Sequence, residues 1–197
     1  EGLPACYPRE LTDIQKQYVA AARAYVHKPE AFLLVDVLGG LEPDMRRQAR
    51  RRMKEIYNAL DTTLIYVTED PKEVMELGAR TAVMRRGQLV QEGPVRELLE
   101  RPRNLFVAQF MNSPRFALSE VRIVKGQTAV EAIGDGFSVD VPPEWVARLE
   151  QNGYIGHRVL MGYQTGEPAE DEDGTTERPL PDSRFYFFDR TTENTIL

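Results

Sequence analysis

Apolar side chains recur at helical spacing along residues 11–28, where Ile14, Tyr18, Ala21, Ala22 and Tyr25 share one side. Thr12 and Gln15 stand three apart at its start, the spacing at which a hydroxyl and an amide cap each other's backbone N–H groups. Lys28-Pro29 then stops the helix, because proline disfavours helical backbone in the residue before it. Residues 31–37 are almost wholly apolar, which predicts a strand buried on both faces, as in a parallel α/β sheet. A second helix is predicted over 43–60, with Met45, Ala49, Met53, Ile56 and Leu60 on one side, and a second buried strand over 63–68. Asp70-Pro71 opens a short helix, with Asp70 at the N-cap and Pro71 at the first helical position. Residues 82–84 and 88–90 read as a hairpin turning at Arg85-Arg86-Gly87. Short helices follow at 95–101 and 105–111. This alternation predicts an α/β domain.

After Ser113-Pro114 the texture changes. Apolar runs rich in β-branched and aromatic residues occupy 120–124, 129–133, 137–141, 158–162 and 184–188, punctuated by Gly and Pro. They predict a small β-barrel or sandwich. Trp145 and the aromatic cluster 185–188 are assigned to its core. Residues 166–182 are acidic and rich in Pro, Gly and Thr, and are expected to form a mobile loop. The chain is therefore read as two modules, 1–114 and 115–197, without internal repeats.

Charge sharpens that division. Residues 1–113 carry 17 Lys and Arg against 16 Asp and Glu, whereas 114–197 carry 8 against 15. The net charge of −6 argues against broad nucleic-acid binding. A basic stretch on the second helix (Arg46, Arg47, Arg50, Arg51, Arg52 and Lys54) has no interleaved aromatics to stack on bases, so it is read as a solvated face paired with Glu42, Asp44 and Glu55. No apolar run approaches the roughly 18 residues of a membrane span, and no signal peptide is evident, so a cytosolic location is expected, with membrane association through a partner. The lone Cys6 forms no internal disulfide and is read as a small, half-buried side chain. The chain opens on Glu1, as a processed chain or one piece of a longer product would.

Residues 7–34 resemble the signature segment of the ABC-transporter ATPases, written L-S-G-G-Q, then Q-R-V-A-[LI]-A-R-A-L, then K-P. Leu11, Gln15, Gln17, Val19, Ala20, Ala22, Arg23, Ala24, Lys28 and Pro29 fall on that pattern. Residues 62–70 resemble the switch strand T-T-x-I-Y-V-T-H-D, and residues 82–94 resemble A-V-M-x-x-G-x-I-x-Q-x-G-T. Residues 101–114 resemble R-P-A-N-L-F-V-A-G-F-I-G-S-P, a stretch particular to importers of the maltose type, and 188–192 resemble F-D-P-x-T near their end. The likeness is dense over about 7–114 and thin beyond. It implies part of a P-loop NTPase core of the ABC type, followed by a small OB-like β-barrel. The family pattern G-x-R-P-E is replaced by Gly162-Tyr163-Gln164-Thr165-Gly166, and the tail is shorter than usual, so the resemblance implies a shortened barrel.

The resemblance also names site positions. The phosphate-binding motif G-x-x-x-x-G-K-[ST] does not occur in the chain; in the family it lies upstream of the signature. At the signature, Thr12, Asp13 and Gln15 occupy nucleotide-contacting positions, with Asp13 and Ile14 in place of the two glycines that let backbone approach a γ-phosphate. A carboxylate there repels phosphate, and Asp13 is better read as a first-turn acid of its own helix. Counting from Lys28-Pro29, Val35 stands at the Mg²⁺-linked carboxylate, Asp36 at the general base, and Val37 at the following proline. A one-residue bulge would instead make Asp36 the metal carboxylate and Val37 the base. The D-loop likeness of residues 38–42, with Glu42 for the family's Asp, supports the first register. Glu69 replaces the switch histidine, and a glutamate at neutral pH only accepts hydrogen bonds. His27 and His157 match no catalytic position, and no residue set is assigned to a resident metal.

Three functions follow. The first is a degenerate ATPase-like subunit of a sugar-type importer, paired with another ATPase subunit or a second copy and with transporter membrane subunits, and taking Mg-ATP or no cofactor. The second is the back part of a working ATPase, with Asp36 as base and Glu69 and Glu42 as polar aides once a phosphate-loop half is supplied. The third is a binding module in the β-rich tail. In each, strand faces such as 31–35 call for cover by a partner, a second copy or further chain.

Overall fold

The computed structural model describes residues 6–27, 29–59, 62–113, 115–165 and 184–196. Two compact units divide between Ala79 and Arg80, upstream of the composition change at 114.

In the first unit, a short 3-10 turn at Pro8–Glu10 precedes helix α1, Asp13–Val26. Thr12 N–H donates to Gln15 Oε1 (2.9 Å) and Gln15 N–H donates to Thr12 Oγ1 (3.3 Å), which is the reciprocal cap expected from their spacing. Strand β1, Ala31–Val35, and strand β2, Thr63–Val67, pair in parallel from Ala31 opposite Thr63 to Val35 opposite Val67, without a register shift. Helix α2, Pro43–Ala59, is the crossover that a parallel pair requires. Helix α3, Pro71–Leu77, starts as expected: Asp70 accepts from Lys72 N–H and Pro71 occupies the first turn. Gly78, at φ 66°, ends it in the left-handed region open to glycine.

Burial in this unit corrects one expectation. The strands were read as buried on both faces. Phe32 is buried, and Leu34, Leu64 and Tyr66 are half-buried beside it. On the opposite face Leu33, Val35, Ile65 and Val67 are 46–65% exposed. The alternation of the pleat puts these four on one side, and no described residue of the unit buries them. Helix α1 likewise has no buried side chain among its described residues.

The second unit opens with an antiparallel hairpin of β3, Arg80–Arg85, and β4, Gln88–Pro94. It turns at Arg86 and Gly87, both at positive φ as a tight two-residue turn demands. Helices α4, Val95–Glu100, and α5, Leu105–Asn112, follow, the latter capped by Asn104 Oδ1 accepting from Val107 N–H. The remaining strands are β5 Phe116–Lys125, β6 Val130–Ile133, β7 Ser138–Asp140, β8 Arg158–Gln164 and β9 Phe185–Phe188. They form an antiparallel sheet in the order β7-β6-β5-β8-β9. Among the described residues this sheet stays open rather than closing into the expected barrel.

Its chemistry explains the openness. β9 is apolar at four successive positions, so both of its faces need cover. Phe187, with Phe185 at its rim, joins one core with Val121, Ile123, Val159, Met161 and Leu149. Tyr186 and Phe188 join the other, with Leu105 and Ala108 of α5. Leu149 belongs to α6, Pro143–Gln151, a helix that the sequence reading did not anticipate. Trp145 and the aromatic cluster are core, as expected. The acidic stretch expected to be a mobile loop lies outside the described residues, as do Lys28 and Leu60.

Candidate functional site at the ends of the parallel strands

In an open parallel sheet, side chains beyond the carboxyl ends of adjacent strands share one edge, where such folds place their ligands. Here β1 and β2 end level, at Val35 and Val67. Asp36 prolongs the ladder by one bond, its N–H donating to Val67 O (2.8 Å), and then leaves the strand at φ 46°. That left-handed backbone is uncommon for a non-glycine residue and is held only where the surroundings fix it. The next residues after β2 are Thr68, Glu69 and Asp70. Continuous register therefore brings Asp36 and Glu69, the two candidates for catalysis, to one edge of the sheet.

The loop from Asp36 to α2 is closely tied. Gly39 N–H donates to Asp36 O (3.3 Å) and Leu41 N–H to Leu38 O (3.1 Å). Leu38 and Leu41 are buried against Ala49. A Cβ on Gly39 would collide with the Asp36 carboxylate, so glycine leaves room for that acid. Glu42 is exposed just before α2, and its carbonyl accepts from Arg46 N–H (2.8 Å). Thr12 and Gln15 are engaged in their mutual cap, and Asp13 begins α1.

The arginines of α2 are only partly the solvated face that was expected. Arg47 does pair with Asp44 (2.8 Å). Arg46, however, turns back to donate to Leu38 O (3.2 Å), Gly39 O (2.8 Å) and Leu41 O (3.0 Å). Arg50 reaches Asp70 (3.2 Å), with both side chains largely covered. Arg50 also lines an open groove of about 400 Å³ with Lys54, Lys72, Met75 and Glu76. Spacing within α2 carried no signal for these long-range contacts, since their acceptors lie in a loop and at another helix's cap.

Behind the edge, Tyr66 OH donates to Glu73 Oε2 (2.8 Å), and Glu73 is buried. Burial pushes the Tyr66 phenol well above its usual range, and the hydrogen bond and charge of Glu73, followed by the charges of Asp36 and Asp70, push in the same direction. The ends of the two strands thus form an acidic environment. Among the described residues, no group of three His, Cys, Asp or Glu side chains is arranged to hold a metal.

No protein-family profile matches the chain. Among curated proteins, the trehalose/maltose import ATP-binding protein MalK of Thermococcus litoralis is 36% identical over 161 residues, covering 79% of this chain and 41% of that protein. The sn-glycerol-3-phosphate import ATP-binding protein UgpC of Yersinia pestis is 37% identical over 143 residues, covering 72% and 40%. The spermidine/putrescine import ATP-binding protein PotA of Photobacterium profundum is 34% identical over 192 residues, covering 85% and 52%. The homologues of this chain are ABC-importer ATP-binding proteins. It spans about two fifths to one half of their length. No described helix is long and apolar enough to cross a membrane.

Proposed function

We propose that this chain is an ATPase-like part of a sugar-type ABC importer that does not hydrolyse ATP by itself and acts as a structural or regulatory partner. The supporting observation is the charge at the strand ends. Asp36, Glu69 and Asp70 gather at the edge where a phosphate would lie, while Arg46 is occupied by loop carbonyls and Arg50 by Asp70. The residues present do not fit a triphosphate: the switch position offers an acceptor where a donor is needed, and the signature offers Asp13 and Ile14 where backbone should be bare. Losing one such contact lowers a rate by about 10²–10³, and several losses together leave little turnover. Residues 115–197 take the place of a shortened OB-like regulatory domain in this reading. The partners are another ATPase subunit or a second copy, together with the membrane subunits, at the inner face of the membrane. Titration of Mg-ATP into the full chain by calorimetry, at millimolar nucleotide, is expected to give no saturable heat. Saturable binding overturns the reading.

A second reading has its own support in the open face of Leu33, Val35, Ile65 and Val67 and in the absence of a buried side chain among the described ones of α1. Parallel sheets bury both faces, so this unit suits a working ATPase assembled when a phosphate-loop half covers it. Asp36 is then the base, with Glu69 and Glu42 beside it. Mixing the chain with the part of the Photobacterium relative outside the matched stretch tests this. Protection of β1 and β2 amides together with ATP turnover favours the second reading. Protection without turnover favours the first.

A further inference from the structure

We infer that Arg46 is the positioning residue of the carboxylate edge, fixing the loop that carries Asp36 and the turn that presents Glu42. The inference deepens the proposed reading, because it takes Asp36 and Glu42 as the acids of the site.

A guanidinium offers five N–H donors in a rigid planar fork, and a lysine ammonium does not reproduce that geometry. Arg46 uses its fork on three carbonyls, those of Leu38, Gly39 and Leu41, which one planar group reaches only if the loop curls back over the first turn of α2. Bonds from a charged donor are stronger than neutral ones. The loop needs such a tie. Gly39 and Gly40 make it the most entropically expensive kind of chain to order, and Asp36 enters it at φ 46°, a left-handed backbone that aspartate visits more readily than most side chains but still at a cost. Its two apolar anchors, Leu38 and Leu41, fix depth but not rotation. Rotation is set by the carbonyls, and all three are oriented by Arg46. The backbone N–H of the same residue donates to Glu42 O, so the guanidinium and the helix start together tie both ends of the loop to one residue. Gly39 completes the arrangement by leaving its Cβ position clear for the Asp36 carboxylate.

The test uses the full chain without nucleotide, so its outcome is independent of whether ATP binds. Arg46→Met keeps the aliphatic stem and removes every donor. It is expected to speed amide exchange of residues 38–42 at least tenfold and to move the carboxyl ¹³C resonance of Asp36, with the signal assigned by Asp36→Asn. Exchange in α3 should stay within twofold. Arg46→Lys is expected to recover less than half of the lost protection. Gly39→Ala serves as a second variant, leaving the guanidinium in place while displacing the carboxylate. It should move the Asp36 resonance with exchange of residues 40–42 within twofold of the parent. An unmoved Asp36 resonance in Arg46→Met, or exchange accelerated equally throughout α3 and β2, overturns the assignment and leaves Arg46 a general stability element. If Arg46→Met does not fold, a Gly39→Ala variant whose Asp36 signal is unchanged overturns it equally.

Discussion

Phe187→Ala is expected to destabilise the second unit by about 3–5 kcal/mol, the range for deleting a large buried aromatic side chain. Phe187 is fully buried in the larger core. Its ring meets Trp145 at 6.0 Å and Phe185 at 5.6 Å between centroids, both edge-on, a geometry that adds to the area buried. Its backbone pairs with Met161 across the sheet and accepts from Ile196 N–H (2.8 Å), so the site has little freedom to collapse around a void. Against a typical total stability of about 5–15 kcal/mol, such a loss is a large share. Trp145 is the chain's single tryptophan and touches this ring, so its fluorescence in a urea titration reports on this core. The denaturation midpoint should fall steeply in Phe187→Ala and far less in Phe185→Ala, whose ring is only half-buried. Equal shifts in the two variants would mean that Phe187 is not central to this core with Phe185 at its rim.

The same strand shows what was legible in the sequence. The run 184–188 was recognisable as a strand from its aromatics, and its assignment to a core was correct. Its lack of polar alternation carries further information. A strand apolar at every position is covered on both faces, which points to flanking helices rather than to a barrel with a wet exterior. One of those helices, α6, begins at Pro143, within a tail whose Gly and Pro residues read only as punctuation between strands. Proline at the first helical position is instead a start signal, and Trp145, Val146 and Leu149 then follow at helical spacing. In the first unit the elements were legible almost residue by residue, and the caps at Thr12 and Asp70 were fully so, because caps depend on neighbours within three positions. Burial was not legible, because an apolar strand states that it needs cover without stating what supplies it. The acids at the strand ends were found through family spacing, whereas Arg46 and the Tyr66–Glu73 pair were not. Their partners lie on other elements, and no local pattern encodes that meeting.

The Tyr66–Glu73 pair gives the second large expectation. Glu73 is 3% exposed, and the Tyr66 hydroxyl donates to it (2.8 Å) from the next element. Tyr66→Phe removes the donor but leaves the carboxylate buried, and an acceptor stranded in that way costs about 1–3 kcal/mol, more when charged. Among the described residues of the first unit, few buried apolar side chains are there to absorb the loss: Phe32 and the cluster of Leu38, Leu41 and Ala49. Replacing both partners, as in Tyr66→Phe with Glu73→Leu, should return most of the stability, because no unpaired polar group then remains. Native-state hydrogen exchange of α3 amides in the parent, Tyr66→Phe, Glu73→Leu and the double variant measures the coupling, and additive effects would refute it. Alkali supplies an independent check. Burial and the acidic neighbours raise the folded Tyr66 pKa above its unfolded value near 10. The unfolded state therefore loses its proton first. The contribution of this group to stability is complete below about pH 10 and declines as pH rises beyond it. Tyr66→Phe should remove that component of the alkaline loss, so that above pH 10 its α3 exchange rises less steeply with pH than the parent's. An unchanged dependence would mean that the phenol is not held neutral by Glu73 and its surroundings, and the buried pair would then lose its claim to fix α3 behind the carboxylate edge.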